Sequence, residues 1–171
     1  PHLPFKERRT GKEMSEKGSN FQQTMNRSCK LDGEALIIYN KLPRYGLACT
    51  GNVPGRGRYK VRMSVAAVGE AKQPVAAAFC TVDRGREAPI VREMVDFEPG
   101  APQMIETEID LEASEAFVVN LMVNWDIRPT KQPIEAYHGP GILIEWMEIE
   151  GPIDPYPSAA FRNLWGESRL V

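Results

Sequence analysis

The run from Gly139 to Ile153, GPGILIEWMEIEGPI, constrains the fold more than any other part of the chain. It is rich in apolar residues, fenced by glycine and proline at both ends and too heavily punctuated for a helix, so it reads as one long strand of the kind that closes a sandwich domain. Asp154-Pro155-Tyr156-Pro157 stops it, and Phe161-Arg162-Asn163-Leu164-Trp165-Gly166 then looks like the start of a further unit. The chain therefore reads as a module excised from a longer polypeptide.

Upstream of that strand the same grammar recurs. Glu34 to Tyr39 is a short apolar run bounded by Asp32-Gly33 and Asn40, which suits a buried strand. The stretch from Pro43 to Gly57 holds too many breakers for a helix and is expected to be loop with at most short strands. From Arg58 the alternation is clean, with Tyr59, Val61, Met63, Val65 and Ala67 on one face and Lys60, Arg62 and Ser64 on the other. Val75 to Val82 carries side chains small enough on both faces for close sheet packing, Asp83 to Arg86 makes a turn, and Ile90 to Phe97 supplies another strand. Gln103 to Asp110 sends Ile105, Thr107 and Ile109 inward and leaves Glu106, Glu108 and Asp110 as a solvated face. Phe117, Val119, Leu121, Val123 and Trp125 share one side of the strand after it. Short strands at intervals of roughly ten residues, with no amphipathic helix of normal length, specify an all-β, antiparallel β-sandwich, jelly-roll-like, with Greek-key connections.

A chain of 171 residues, 42% apolar and 26% charged, can bury one good core and is short for two. The expected division is a linker or extended arm over residues 1–20, where charge, glycine and proline mix without period, the sandwich over 21–153, and a connecting segment over 154–171 that leads to a following domain. Both tails are expected to pack on the sandwich or on another domain, the C-terminal one through Phe161, Leu164 and Trp165. With a net charge of -2 there is no basic field for nucleic acid or an anionic membrane, and no apolar run reaches the roughly 20 residues that span a bilayer. The first residues lack the plan of a signal peptide, so any export signal is expected upstream.

No enzyme motif is present: GxSxG, HExxH, a P-loop and a dinucleotide fingerprint are all missing, and two histidines, His2 and His138, exclude a three-histidine metal site. Glu148 and Glu150 share one face of the closing strand, where an acid–base pair could sit, but two acidic residues on an exposed strand are most simply solubilising. The chain is therefore read as a non-enzyme. Cys29, Cys49 and Cys80 have no CxxC spacing and read as small buried apolar residues, with a Cys29–Cys49 bridge as the open alternative.

Sandwich modules that hold sugars use aromatic planes flanked by amides and carboxylates, because the axial C–H face of a pyranose stacks on a ring while its hydroxyls are hydrogen-bonded. Asn124, Trp125 and Asp126 have that composition where a strand runs into a loop, and Tyr137, just before the closing strand, offers a second ring at the same end. Trp125 also continues the inward alternation, so a core or rim tryptophan is the competing reading. Tyr45 is an independent, weaker candidate. A structural calcium ion is the other expected feature, with Glu34 near the first strand and Glu145 in the last apposed if those strands pair.

Gly139 to Pro152, continued through Pro155, Pro157 and Phe161 to Gly166, together with Gly57-Arg58-Tyr59-Lys60-Val61-Arg62-Met63, resembles a segment of large planctomycete multi-domain proteins. Those proteins join a cytochrome-c-like segment to domains of unknown function, and the segment is similar in strand pattern to carbohydrate-binding modules. The likeness runs from residue 31 to 168, with Tyr156 where a tryptophan is common and Trp165 where a phenylalanine is common. It implies a cell-envelope setting, periplasmic, cell-surface or secreted. The implied role is a carbohydrate-binding-like module whose partners are a glycan and the neighbouring domains of the parent polypeptide. The alternative role is a structural spacer between those domains. No haem-attachment CxxCH occurs in the chain.

Overall fold

The computed structural model describes residues 5–17, 28–39, 47–48, 50–70, 73–83, 89–122 and 133–155. In chain order the elements are β1 (Phe5–Thr10), α1 (Gly11–Lys17), β2 (Cys29–Asp32), β3 (Ala35–Ile38), β4 (Leu47–Ala48) and β5 (Gly57–Val68). They continue with β6 (Val75–Val82), β7 (Ile90–Phe97), β8 (Gln103–Leu111), β9 (Ala116–Leu121), a 3₁₀ turn at Ile134–Ala136 and β10 (Gly141–Pro155). The front sheet runs β2-β3-β10-β5-β8, with β1 also on β10, and the back sheet runs β4-β9-β6-β7. Counting β3 to β10 as one to eight, the sheets read 1-8-3-6 and 2-7-4-5. That order, with every strand pair antiparallel, is a jelly-roll β-sandwich with Greek-key connections.

The alternation that the sequence shows in β5 is what closes the sandwich. Tyr59, Val61, Met63 and Val65 are fully buried, and they meet Phe79, Phe117 and Val119 from the back sheet in one apolar core. Phe79 packs obliquely on Phe97 and Phe117, with ring centroids 6.4 and 5.3 Å apart. Burying a side chain of this size stabilises by about 1.5–3 kcal/mol, so the core carries the fold.

The N-terminal stretch departs from the expected arm. Phe5 to Thr10 pair with Gly151 to Trp146 of β10, so the front sheet begins at Phe5. No apolar period announces this strand because its stabilising contacts are backbone pairing and charge. Lys6 on its outer side meets Glu148 and Glu150 at 3.3 and 3.5 Å. On its inner side Glu7 binds Arg9 and accepts a hydrogen bond of 2.6 Å from the Gly51 N–H, inward-turned charge that also guards a sheet edge. Helix α1 follows at once through a capping box: the Glu13 N–H donates to Thr10 Oγ1 at 3.2 Å, and Glu13 Oε2 accepts from the Thr10 N–H at 2.9 Å. Its Met14 is fully buried in the core.

The connections β3–β4, β5–β6, β7–β8 and β9–β10 all leave from one end of the sandwich. The registers show it: Ile38 faces Ile142, Val68 faces Gly141, Phe97 faces Val75, and Leu121 faces Ala77. Tyr137 lies at this end, against Tyr39.

Candidate functional site

At that end residues 133–140, which lead into β10, lie over the outer face of the front sheet. Ile134 is buried there with Ile37 and Tyr39, and Val68, Leu143 and Tyr137 pack around them. The rings of Tyr39 and Tyr137 meet edge to face, centroids 5.0 Å apart at 82°. Lys30 Nζ stands 5.3 Å from the Tyr39 ring centroid on another side. Tyr137 stays half-exposed, and burial pushes its phenol above the ordinary tyrosine pKa, helped by Tyr39 and Glu70.

Two glycines let the backbone close around this ring. Gly69 sits at φ +81° where a Cβ would overlap the Gly139 carbonyl oxygen, and a Cβ on Gly139 would overlap the Tyr137 ring. The Glu70 N–H donates to the His138 carbonyl at 2.8 Å, tying the β5–β6 connection to the same loop. A half-exposed ring held edge-on by a second ring, on a backbone with no room to shift, is a rigid aromatic feature on a loop, where binding groups concentrate.

Of the residues singled out in the sequence, Tyr137 is therefore at this end. Asn124, Trp125 and Asp126, and also Tyr45, lie outside the described residues. Strand β9 carries the chain toward Asn124 from Leu121, which pairs with Ala77 at the same end. Cys29 and Cys80 are buried, and Cys49, with the Cys29–Cys49 bridge, lies outside the described residues. So do Phe161, Leu164 and Trp165.

Strands β3 and β10 pair as the calcium expectation required, with Leu36 opposite Ile144. The two carboxylates nevertheless have separate partners. Glu34 is exposed in the β2–β3 turn, with Lys12 Nζ and Thr10 Oγ1 each at 3.5 Å. Glu145 accepts a 2.5 Å hydrogen bond from the Ser64 hydroxyl. Among the described residues, no three His, Cys, Asp or Glu side chains gather in a way that could hold a metal ion.

The carboxylates expected to be merely solvated are tied into a ladder across the front sheet. Arg62 holds Glu106 at 2.8 Å, Glu148 at 3.0 Å and Glu150 at 3.3 Å, while Arg58 holds Asp110 at 3.2 Å and Lys60 holds Glu106 at 3.1 Å. Glu148 and Glu150 do share one face, but Glu148 is only 9% exposed rather than solvent-facing. Burial opposes its ionisation, yet hydrogen bonds from Arg62 and Lys6 outweigh that and hold its pKa below the ordinary glutamate value. Arg62 and Lys60 lower Glu106 in the same direction. Neither carboxylate is poised as an acid at neutral pH.

Sequence reading missed Trp146 and Arg8. The β10 register slips between Ile144 and Trp146, a bulge that puts Glu145 and Trp146 on the outer side in succession. The signal was present in the spacing: Ile142 and Ile144 point inward at even positions, Met147 and Ile149 at odd ones. Trp146 pairs with Thr10 on one side and Ser64 on the other, and the Arg8 guanidinium rests 4.0 Å above its ring centroid.

No protein-family model matches the chain, and no curated protein matches it. Among solved structures, the carbohydrate binding module of Cellvibrio mixtus lichenase 5A, in complex with cellotriose, is similar at 13% identity over 85% of this chain and 96% of its own, with a TM-score of 0.43. The C-terminal module of the Zobellia galactanivorans laminarinase LamC is similar at 14% identity over 73% of this chain and 86% of its own, TM-score 0.39. The Eiger TNF of S. frugiperda is similar at 9% identity over 58% and 61%, TM-score 0.39. Likenesses this distant assign no function to the chain.

Proposed function

We propose that the chain is a non-catalytic, carbohydrate-binding-like module, and that its glycan sits at the loop end of the sandwich, on Tyr137 together with Asn124, Trp125 and Asp126. One observation carries this reading: Tyr137 is propped half-exposed against Tyr39 at the end of the sandwich where β9 finishes, with Leu121 opposite Ala77. A rigid ring gives a sugar an apolar platform without an entropy cost on binding, and the neighbouring amide and carboxylate supply hydroxyl partners. The setting belongs to the same proposal: an exported multi-domain polypeptide, periplasmic, at the cell surface or secreted, as the planctomycete likeness implies.

A glycan array probed with the parent and with Tyr137→Ala and Trp125→Ala tests it. Parent binding that both variants lose, with Trp125→Ala costing little stability, is the expected result. A Trp125→Ala loss of about 3–5 kcal/mol would mark a core tryptophan and remove it from the site.

The spacer reading has its own support on the back sheet. Val91, Met94 and Met122 stand exposed there beside the buried Ala78, Cys80 and Val118, a largely apolar surface with Asp96 beside it, of the kind that packs on another domain. Absence of any glycan binding by the parent would transfer the weight to it.

A further inference from the structure

The outer face of the front sheet has a feature that its ion-pair ladder does not absorb. Lys6, Arg58, Lys60 and Arg62 each hold a carboxylate, and Arg8 on the same face holds none among the described residues. Its guanidinium lies instead on the indole of Trp146. Stacking occupies the flat face of a guanidinium and leaves its N–H edge free, already aligned for a bidentate oxyanion.

Around that pair the register lines up a shallow strip. Thr10, Trp146, Ser64 and Met104 follow one another across β1, β10, β5 and β8, and Met104 is 66% exposed. The bulge sets Glu145 beside them, its carboxylate on the Ser64 hydroxyl at 2.5 Å. The strip thus combines a half-exposed ring and an open thioether with the exposed Glu145 carboxylate, which the buried Ser64 hydroxyl holds in place, groups that suit the apolar face and the hydroxyls of a pyranose.

We propose that Arg8 and Trp146 form a second saccharide contact, separate from the loop end, for a glycan bearing oxyanion groups. Arg8 grips the oxyanion through its free edge, while Trp146 backs the guanidinium and, with Met104, meets the sugar. The fork geometry matches a planar carboxylate best, so a uronate-containing glycan is the expected class. This inference rests on the glycan-binding reading and extends it.

Calorimetric titration tests it with polygalacturonate, dextran sulfate, a neutral glucan and polyglutamate as probes, against the parent and Arg8→Gln, Trp146→Phe and Tyr137→Ala. Polygalacturonate should bind, more weakly as salt rises, and Arg8→Gln should lose about tenfold or more of that affinity at unchanged melting temperature. Trp146→Phe keeps a ring at the site, should fold, and should lose less. Tyr137→Ala should keep this binding. Dextran sulfate bound more tightly than polygalacturonate would still support an oxyanion site and name a sulfate ester as its ligand. Arg8→Gln binding polygalacturonate as well as the parent would overturn the inference, as would polyglutamate binding equally well. A parent that binds neutral glucan and neither polyanion overturns it and leaves the loop-end site standing. Failure of every glycan would remove both.

Discussion

On the outer face of the front sheet, Arg62 alone reaches Glu106, Glu148 and Glu150, and Lys6, Lys60 and Arg58 complete a ladder in which each cation has an acidic partner across a strand. On the outer face of the back sheet, Ala78, Cys80 and Val118 are fully buried, and the exposed side chains around them include Val91, Met94 and Met122, with Asp96 beside Ala76. The first surface settles its own charges and can stay in water. The second is apolar apart from Asp96 and the buried Asn120, so its chemistry suits contact with another body. One sandwich thus presents a face suited to solvent or a polar ligand and a face suited to packing. The difference follows from strand composition, because β5 and β8 alternate whereas β6 and β9 are largely apolar on both sides.

The largest expected effect comes from placing charge on the packing face. Val118→Asp buries an unpaired carboxylate and should cost several kcal/mol in chemical denaturation, enough to leave the protein unfolded or nearly so. A change of this kind tolerated without loss would mean that the back face is as wet as the front.

Calcium would upset the comparison from the other side. If Glu34 and Glu145 share an ion, the front sheet depends on a metal as well as on its own cations. Excess chelator should then lower the melting temperature, by the equivalent of about 2.7 kcal/mol for an ion present at a hundred times its Kd. Unchanged melting disposes of the site.

A smaller effect is expected from the ladder itself. Glu148 has its pKa held below the ordinary glutamate value of 4.5, so its contribution is fully present above that value and is lost as pH falls through the lowered one. Denaturation midpoints should therefore hold steady from neutral pH down to that value and drop below it. Arg62→Gln should flatten the drop, because it removes the main partner of Glu148 and Glu106. Identical acid profiles in parent and variant would show that the ladder is ornament. The smallest effect belongs to Glu108→Gln, an exposed position on the same face with no ion pair among the described residues; its denaturation midpoint should match the parent.

The sandwich was legible because burial on one face imposes a period of two on β5 and β8, and because glycine and proline fence β10. Strand β1 was not, since an edge strand held by backbone pairing and by Lys6, Glu7 and Arg9 needs no apolar period. Helix α1 carried a readable signal in Thr10 and Glu13, three residues apart, but at seven residues it is too short for amphipathicity to show. Tyr137 was found through its place before the closing strand. Its support by Tyr39 was not, because a contact between positions so far apart in the chain depends on the β3–β10 pairing. Trp146 was hidden by the bulge, which breaks the alternation used to assign faces.

The loop-end glycan site is the central claim, and an amide-resolved NMR titration of the parent with its best array ligand tests it most directly. Saturable shifts at Tyr39, Gly69, Glu70 and the Tyr137–Gly139 segment are the predicted result, since these amides surround the paired rings. Shifts confined to Val91, Met94 and Met122 on the back sheet, or none at any residue, would contradict it.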